Sequence, residues 1–550
     1  MGLTPEQLRA VEAEEPRVFV AAGAGTGKTS LLVARYLRGL LHDGLGTEHL
    51  PTVTFTRKAA AEMKSRIRAG LLEADRPDLA WSLDSAPIGT IHGLCASLLR
   101  AHPLQAGVDP SFVVTGEAQA SILQAEALDL GWESLVREAD EELIGLLARH
   151  QRSIRTDALG LYLGLRGLGH DEPRFVVPAP GGLDEEKGRL AATGEAALAA
   201  TAGMSLKATA AGNRERVQEC LAWLPEARPT WEDLERAAKY IAHMGCGALR
   251  PVFEGWNTSL KEFRRVLGGH YLWPLANLVD RLLTLLGEEY VRRKTELGLL
   301  DFNDVEIRAL ELLDSGVRPY ADDARLMVDE FQDTNGLQCR LIEKLGVATV
   351  LTVGDLYQSI YGFRGADVEV FRDQESAACG SASAASFHTR LTCNFRSREA
   401  VLRAINRIFS HPGLFGEGFA DLDAARVGDQ VRAGLPDARG ELSPAVELVV
   451  LDRGAPGGGS TTWQENEARV VADLVAGLVR EQGWRPRDVV VLLRALTHVH
   501  ELEEALVAHG LPTYVVQGRG YYDREELGDL FALLRSLVNP HDDVSLVTAL

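Results

Sequence analysis

Residues Ala22-Gly23-Ala24-Gly25-Thr26-Gly27-Lys28-Thr29-Ser30 follow an apolar run, Arg17–Ala21, and lead into a stretch of helical periodicity, Ser30–Leu41. Small side chains at such a strand-to-helix junction let consecutive backbone N–H groups wrap an anion where the helix dipole already favours negative charge. The pattern predicts a nucleotide cradle in which Lys28 reaches the β- and γ-phosphate oxygens and the Thr29 hydroxyl reaches Mg2+. Ala22 holds the first position of the strict Gly-x-x-x-x-Gly-Lys-Thr pattern, a mild departure, because that position needs a small residue more than a positive φ. A glycine-rich turn in front of a helix is the plain alternative, and Lys28 would then pair with a nearby carboxylate. The five small residues directly before the lysine would serve no purpose in that arrangement.

Phosphoryl chemistry also needs an acidic residue at the end of a strand, and Arg325-Leu326-Met327-Val328 runs into Asp329-Glu330. Asp329 would hold the Mg2+ shell while Glu330 orients or deprotonates the attacking water. An apolar run followed by Asp-Glu is equally an ordinary helix N-cap region. The continuation Phe331-Gln332-Asp333-Thr334 sets this one apart.

Alternating strand-like and helical runs must position these groups. Arg17–Ala21, Ser30–Leu41, Leu50–Thr56 and Ala59–Gly70 make a βαβα rhythm, which implies a parallel sheet. From about Gly116 to Lys294 the periodicity is helical, as in Ala118–Leu130 and Leu275–Arg293, with an Ala-rich patch at Ala191–Gly212; this reads as an insertion. Strand-like runs return at Leu326–Val328 and Thr349–Val353, where the first sheet would resume. A second α/β unit is expected from about Ser386, with strands Val446–Leu451, Val489–Leu493 and Thr513–Val516 and a glycine-rich loop at Gly454–Ser460. The resulting division is 1–115 and 295–385 for the first core, 116–294 for the insertion, 386–538 for the second core and 539–550 for the start of an accessory domain.

The bulk numbers bound the function. A chain of 550 residues suggests roughly three or four domains. Its net charge of −20 excludes a protein that grips nucleic acid by overall positive charge, so DNA contacts would come from local grooves. The cysteines (Cys95, Cys220, Cys246, Cys339, Cys379, Cys393) form no CxxC pair, which fits a reducing cytoplasm. The acidic N-terminus lacks a signal-peptide pattern, and no apolar run approaches about 18 residues, so a soluble, cytoplasmic protein without a membrane partner is expected.

Several further segments are ordered along the chain. They are Leu3-Thr4-Pro5-Glu6-Gln7, Thr54-Phe55-Thr56-Arg57-Lys58-Ala59-Ala60-Ala61-Glu62-Met63, Gly89-Thr90-Ile91-His92-Gly93 and Asp301-Phe302-Asn303-Asp304. After them come Val328–Asn335 (VDEFQDTN), Val353–Asp367 (VGDLYQSIYGFRGAD), Asn394-Phe395-Arg396-Ser397, and Tyr521–Glu526 continuing to Asn539-Pro540. Together they resemble the motifs of the UvrD/Rep group of superfamily 1 DNA helicases. That resemblance implies a RecA-like P-loop core with a large helical insertion and a second, incomplete RecA-like α/β domain. It also implies ATP and Mg2+ as cofactors, and single-stranded DNA and duplex junctions as partners.

The chemistry of each segment agrees. The Gln7 amide matches the donor–acceptor edge of adenine, although Thr-Pro-Glu is also a common helix start. Gln358 follows a sheet-terminating Gly354-Asp355, where an amide could sense the γ-phosphate. Phe363 beside Arg364 pairs a stacking face with a cation, and Phe55 offers a second face; a core position is the alternative for either ring. Arg57, Lys58 and Lys64 would reach DNA phosphates or simply form a solvated basic helix face. Thr90 and His92 suit phosphate hydrogen bonds, and His92 has no metal-ligand partner at the right spacing. Arg396, placed by the resemblance in the second core, would act as an arginine finger toward the γ-phosphate.

The resemblance also implies 3′→5′ movement. The chain ends at Val547-Thr548-Ala549-Leu550, before the family's last motifs, so a fragment of a longer motor is expected. The long insertion leans toward the AddA/RecB branch of helicase-nucleases, whereas Gly362–Asp367 leans toward UvrD itself. A nuclease or repair partner subunit would follow from the first of these. A catalytically weak DNA-binding subunit, or a P-loop enzyme acting on small molecules, is the competing class.

Overall fold

The computed structural model describes residues 2–139, 141–174, 177–244, 247–362, 365–380, 386–415, 418–425, 446–451, 462–516, 525–539 and 541–549. It divides into two units, Met1–Thr392 and Cys393–Leu550.

The first unit is built on strands β1 (Arg17–Ala22), β2 (Thr52–Thr54) and β3 (Ile88–Thr90). A short ladder pairs β4 (Val113–Val114) with β5 (Leu299–Leu300), and β6 (Arg325–Val328), β7 (Thr349–Gly354) and β8 (Ser386–Leu391) follow. Six of them form one sheet in the order β3-β2-β6-β7-β1-β8, every pairing parallel. A parallel sheet covered on both faces needs near-continuous apolar strands. Val18, Val20, Leu351 and Val353 accordingly face one buried cluster, and Phe19, Leu326 and Val328 face another. Helices Lys28–Leu41 and Arg57–Glu73 pack on the first side, and Ile91–Ala101 and Phe302–Asp314 on the second.

The second unit, expected from about Ser386, begins at Cys393. Ser386–Leu391 pairs along its whole length with β1, Arg17 beside Ser386 and Ala22 beside Leu391, and is the edge strand of the first sheet. A mixed sequence such as Ser-Phe-His-Thr-Arg-Leu shows neither the period of a core strand nor its partner. Pairing, a long-range event, decides its sheet.

The ladder between β4 and β5 stands where the chain leaves the core for the helical segment and returns from it. Between them, helix Arg250–Glu296 runs 47 residues and carries two cores. Its first half buries Phe253, Trp256, Leu260 and Phe263 with the helices Leu183–Ala200 and Ala208–Trp223. Its second half buries Leu278, Leu282, Leu286 and Tyr290 with Glu117–Glu138 and Glu141–Gly167. Pro274, which cannot donate to the helix ladder, lies at the junction.

A buried charge network ties this segment to the core. Lys294 Nζ lies 2.9 Å from Asp301 Oδ2 and also pairs with Asp304, which in turn meets Arg166. Asp301 and Asp304 form the capping box of helix Phe302–Asp314. Removing one partner of a buried network strands the rest, at about 3–5 kcal/mol. Lys294→Met is therefore expected to reduce amide hydrogen-exchange protection across residues 250–314; unchanged protection would show that the network adds no stability.

In the second unit, helices Trp463–Arg480 and Val499–Ala508 pack through Ala468, Ala472, Leu502 and Leu506. A short ladder joins β9 (Cys393–Asn394) to β10 (Asp423–Ala424). Val446–Leu451, Val489–Leu493 and Thr513–Val516, expected as strands, enter no ladder among the described residues. An apolar run carries the local signal of a strand, but a strand exists only with a hydrogen-bonded neighbour. The loop Gly454–Ser460 and the residues Tyr521–Arg524 and Pro540 lie outside the described residues.

Candidate functional site

Ala21 lies beside Gly354 and Val328 beside Thr352, so the chain leaves β1, β6 and β7 at one edge of the sheet. Ligands of parallel sheets bind at this carboxyl edge. The loop after β1 turns on Gly25 (φ 71°) and Gly27 (φ 85°), left-handed conformations that glycine adopts without cost. Buried Thr26 fastens it, its Oγ1 donating to the Gly23 carbonyl over 2.7 Å. Gly27 caps helix Lys28–Leu41 without a side-chain hydrogen bond, which leaves the first-turn N–H groups to an anion. Ala22 is buried at the strand end, Thr29 is half-buried, and Ala24 and Ser30 are exposed.

Gln7 is buried against this loop, its Nε2 donating to the Thr26 carbonyl over 2.9 Å. Its Oε1 accepts from Thr4 N, completing the capping box of helix Pro5–Glu12. Both expectations for Gln7, helix cap and adenine contact, are compatible, because the amide retains one N–H and one lone pair.

Lys28 Nζ stands 2.7 Å from Glu330 Oε2, so the lysine has both the glycine cradle and a carboxylate partner. Glu330 sits in the left-handed region (φ 51°, ψ 46°), a conformation that costs a non-glycine residue about 1–3 kcal/mol. Behind it Phe331 is clamped between Phe19 and Phe371, with ring centroids 6.3 and 6.2 Å away. Asp329 is buried, and burial, reinforced by repulsion from Glu330, pushes its carboxyl up to about 6. Asp333 is pushed up to about 6 by the same two causes, and its Oδ1 is buried with no hydrogen-bond partner.

Three carboxylates thus crowd around one ammonium, which suits a divalent cation arriving there. Among the described residues no three ligating side chains converge into a closed cage. Carboxylate oxygens are the donors Mg2+ takes, so Asp329 and Glu330 fit Mg2+ whose remaining ligands would be phosphate oxygens and water. Since Asp329 must ionise to serve such a cation, Mg2+–nucleotide binding is expected to weaken as pH falls through about 6, with proton release at pH 5.5. Calorimetry in buffers of different ionisation enthalpy reads that proton; pH-independent affinity between pH 5.5 and 7.5 would exclude Asp329.

Two residues to which the sequence alone assigned no role join this edge together. Buried Gln332 donates from Nε2 to Glu330 Oε2 over 2.9 Å and accepts at Oε1 from Asp355 N over 2.9 Å. Asp355 Oδ2 accepts from Gln358 Nε2 over 2.6 Å. Their hint in the sequence was their place in the runs Val328–Asn335 and Val353–Asp367.

The described residues expected from the sequence to meet nucleic acid in the first unit follow the neighbouring strands β2 and β3, and Tyr361 joins them beside Phe55. The Phe55 ring, just past β2, lies 4.5 Å from that of Tyr361. Arg57 and Lys58 are exposed at the start of helix Arg57–Glu73, which Thr56 caps. Thr90 caps helix Ile91–Ala101 by accepting from Gly93 N, and its hydroxyl proton can still be donated. His92 turns toward the core: its Nε2 is 3.1 Å from buried Glu306, and its ring lies 4.5 Å from Phe302. Phe363 and Arg364 lie outside the described residues. In the second unit Asn394 Oδ1 accepts from Arg396 N (2.9 Å) and Ser397 N (2.7 Å), which anchors the backbone of an exposed Arg396.

A parallel sheet with a glycine loop and lysine after β1 and an Asp-Glu pair after β6, one strand removed from it across β7, defines a RecA-like P-loop fold. The UvrD/REP helicase N-terminal domain matches residues 3–378 and the UvrD-like helicase C-terminal domain matches residues 389–550. The chain belongs to the UvrD/REP helicase family. It is 28% identical to an ATP-dependent helicase/nuclease subunit of Pelotomaculum thermopropionicum, with all of this chain aligned to 53% of that protein. The helicase/nuclease subunits of the same name in Moorella thermoacetica (30% identical, 49% of that protein covered) and Listeria monocytogenes (26%, 52%) are similarly related. The chain spans about half the length of these curated relatives. No helix among the described residues is long and apolar enough to cross a membrane.

Proposed function

We propose that this chain carries an ATP-driven motor that moves 3′→5′ along single-stranded DNA and opens duplex junctions in cytoplasmic repair or recombination, beside a nuclease partner subunit. The observation that carries this reading is the short segment 355–361. It holds Gln358 at the phosphate-binding edge and Tyr361 against Phe55, so one loop touches both the nucleotide side and the base-stacking side. The names of the relatives supply the helicase/nuclease context; polarity rests on the family resemblance.

In this reading Lys28 and the first-turn N–H groups hold the β- and γ-phosphates, and Thr29 and Asp329 hold Mg2+, which neutralises phosphate charge when bound. Glu330 accepts the proton of the attacking water. Gln358 senses the γ-phosphate, and Arg396 stabilises charge as the bond breaks. Phe55, Tyr361 and Phe363 stack on bases, while Arg57, Lys58, Thr90 and Arg364 hold backbone phosphates. His92 positions its helix through Glu306.

A catalytically weak DNA-binding subunit is the second reading, and the presence of Lys28, Thr29, Asp329, Glu330, Gln358 and Arg396 together argues against it. A P-loop enzyme for small molecules would have no use for the Phe55–Tyr361 pair. ATP hydrolysis by the full-length protein, stimulated by single-stranded DNA and accompanied by displacement from a 3′-tailed duplex, tests the proposal; hydrolysis indifferent to DNA would overturn it. Phe55→Ala is expected to weaken oligonucleotide binding about 5- to 150-fold, the worth of one stacked base, and to leave nucleotide affinity intact. A fluorescent-oligonucleotide titration with unchanged affinity would return Phe55 to the core.

A further inference from the structure

We propose that Gln332 is the positioning residue of the hydrolytic carboxylate: its side-chain amide holds Glu330 in place and ties it to the loop that carries Gln358. The inference rests on the motor reading above and goes beyond it.

Gln332 is 2% exposed and bonded at four points, the longest a 3.5 Å contact from its Nε2 to Asp333 Oδ2. Its Nε2 donates to Glu330 Oε2 (2.9 Å), its Oε1 accepts from Asp355 N (2.9 Å), and its backbone carbonyl accepts from Ser359 Oγ (3.2 Å). The orientation of the amide is forced. A backbone N–H can only donate, so the oxygen must face Asp355 and the NH2 group must face Glu330. Gly354 makes room for this: a Cβ there would stand 2.6 Å from Gln332 Oε1 and 2.8 Å from the Phe371 ring.

The decisive point is that Glu330 Oε2 is shared. Lys28 Nζ holds it at 2.7 Å and Gln332 at 2.9 Å. When Lys28 turns to the phosphates, the amide of Gln332 is the donor that stays. Without it, a carboxylate on a left-handed backbone position is free to change rotamer, and a displacement of about 1 Å in a reacting group can cost on the order of 10²-fold in rate. Asp355, held by the other end of the same amide, accepts from Gln358, so Glu330 and Gln358 are set by one side chain.

The test uses the full-length protein and two isosteric variants. Gln332→Glu keeps an acceptor for Asp355 N but sets carboxylate against carboxylate at Glu330; Gln332→Met removes every side-chain hydrogen bond. Each is expected to lower kcat of DNA-stimulated ATP hydrolysis by about 10²-fold, while KM for ATP changes less than about threefold because the Gln332 side chain bonds Glu330, Asp333 and Asp355 and not the glycine loop. Melting provides a readout independent of turnover. Gln332→Glu should lower the melting temperature, and adding Glu330→Gln should restore it by re-forming the amide–carboxylate pair in reverse. An active wild type with kcat unimpaired in Gln332→Glu overturns the inference alone, and so does a melting loss that Glu330→Gln fails to restore. A wild type without DNA-stimulated hydrolysis overturns the motor reading and the inference with it.

Discussion

Lys28→Ala is expected to abolish ATP hydrolysis by the full-length protein, lowering kcat by about 10²–10³-fold or more. Lys28 is the one basic side chain in Ala22–Ser30, and its Nζ lies where the loop, Asp329 and Glu330 converge. Phosphate charge would then meet a cluster of carboxylates with no protein cation between them, so nucleotide affinity should fall together with turnover. A radiolabelled-phosphate release assay and a nucleotide-binding titration on the same variant read both effects. Turnover at the wild-type rate would sink the phosphate-loop assignment.

Arg396→Ala should separate those two quantities. An arginine finger acts on charge that develops in the transition state and contributes about 10³–10⁵-fold in kcat. Gln7, Lys28, Thr29 and Asp329 all belong to the first unit and are untouched by the change. Nucleotide affinity should therefore stay within a few-fold while kcat falls by about 10³-fold. Arg396→Lys should not restore it, since an ammonium lacks the planar fork that meets two phosphate oxygens at once. If affinity and kcat fall in parallel, Arg396 contributes to ground-state binding and is not a finger.

Much of the first sheet was legible because its strands are short apolar runs between glycine-rich or capped turns. Arg17–Ala21, Leu326–Val328 and Thr349–Val353 each lie within an observed strand. The helical nature of 116–294 was legible for the same local reason, since its Leu and Ala residues recur at helical spacing. Strand order was not. β8 reads from sequence as part of the second unit because its alternation of Phe387, His388, Thr389 and Arg390 resembles no core strand; its place at the edge of the first sheet depends on β1, which lies far away in sequence. The expected strands of the second unit failed in the opposite sense, carrying the local signal without a ladder among the described residues. His92 shows the same limit for a single side chain: a histidine at a helix start carries no local sign that the fold will bring buried Glu306 to 3.1 Å from it.

By itself, then, the sequence determined those features whose atoms come from neighbouring residues. The glycine loop is the clearest case, because its N–H groups, its two left-handed glycines and its lysine lie within one short stretch of chain, and their geometry follows from local backbone preferences. Only the tertiary structure decided which carboxylate meets Lys28, since Glu330 is 302 residues away. It alone decided that Gln332 bridges Glu330 to Asp355 and that Phe55 finds Tyr361. Those contacts form when parallel strands fix their register and bring distant strand ends to one edge, and register is set by the packing of the whole sheet rather than by any segment within it.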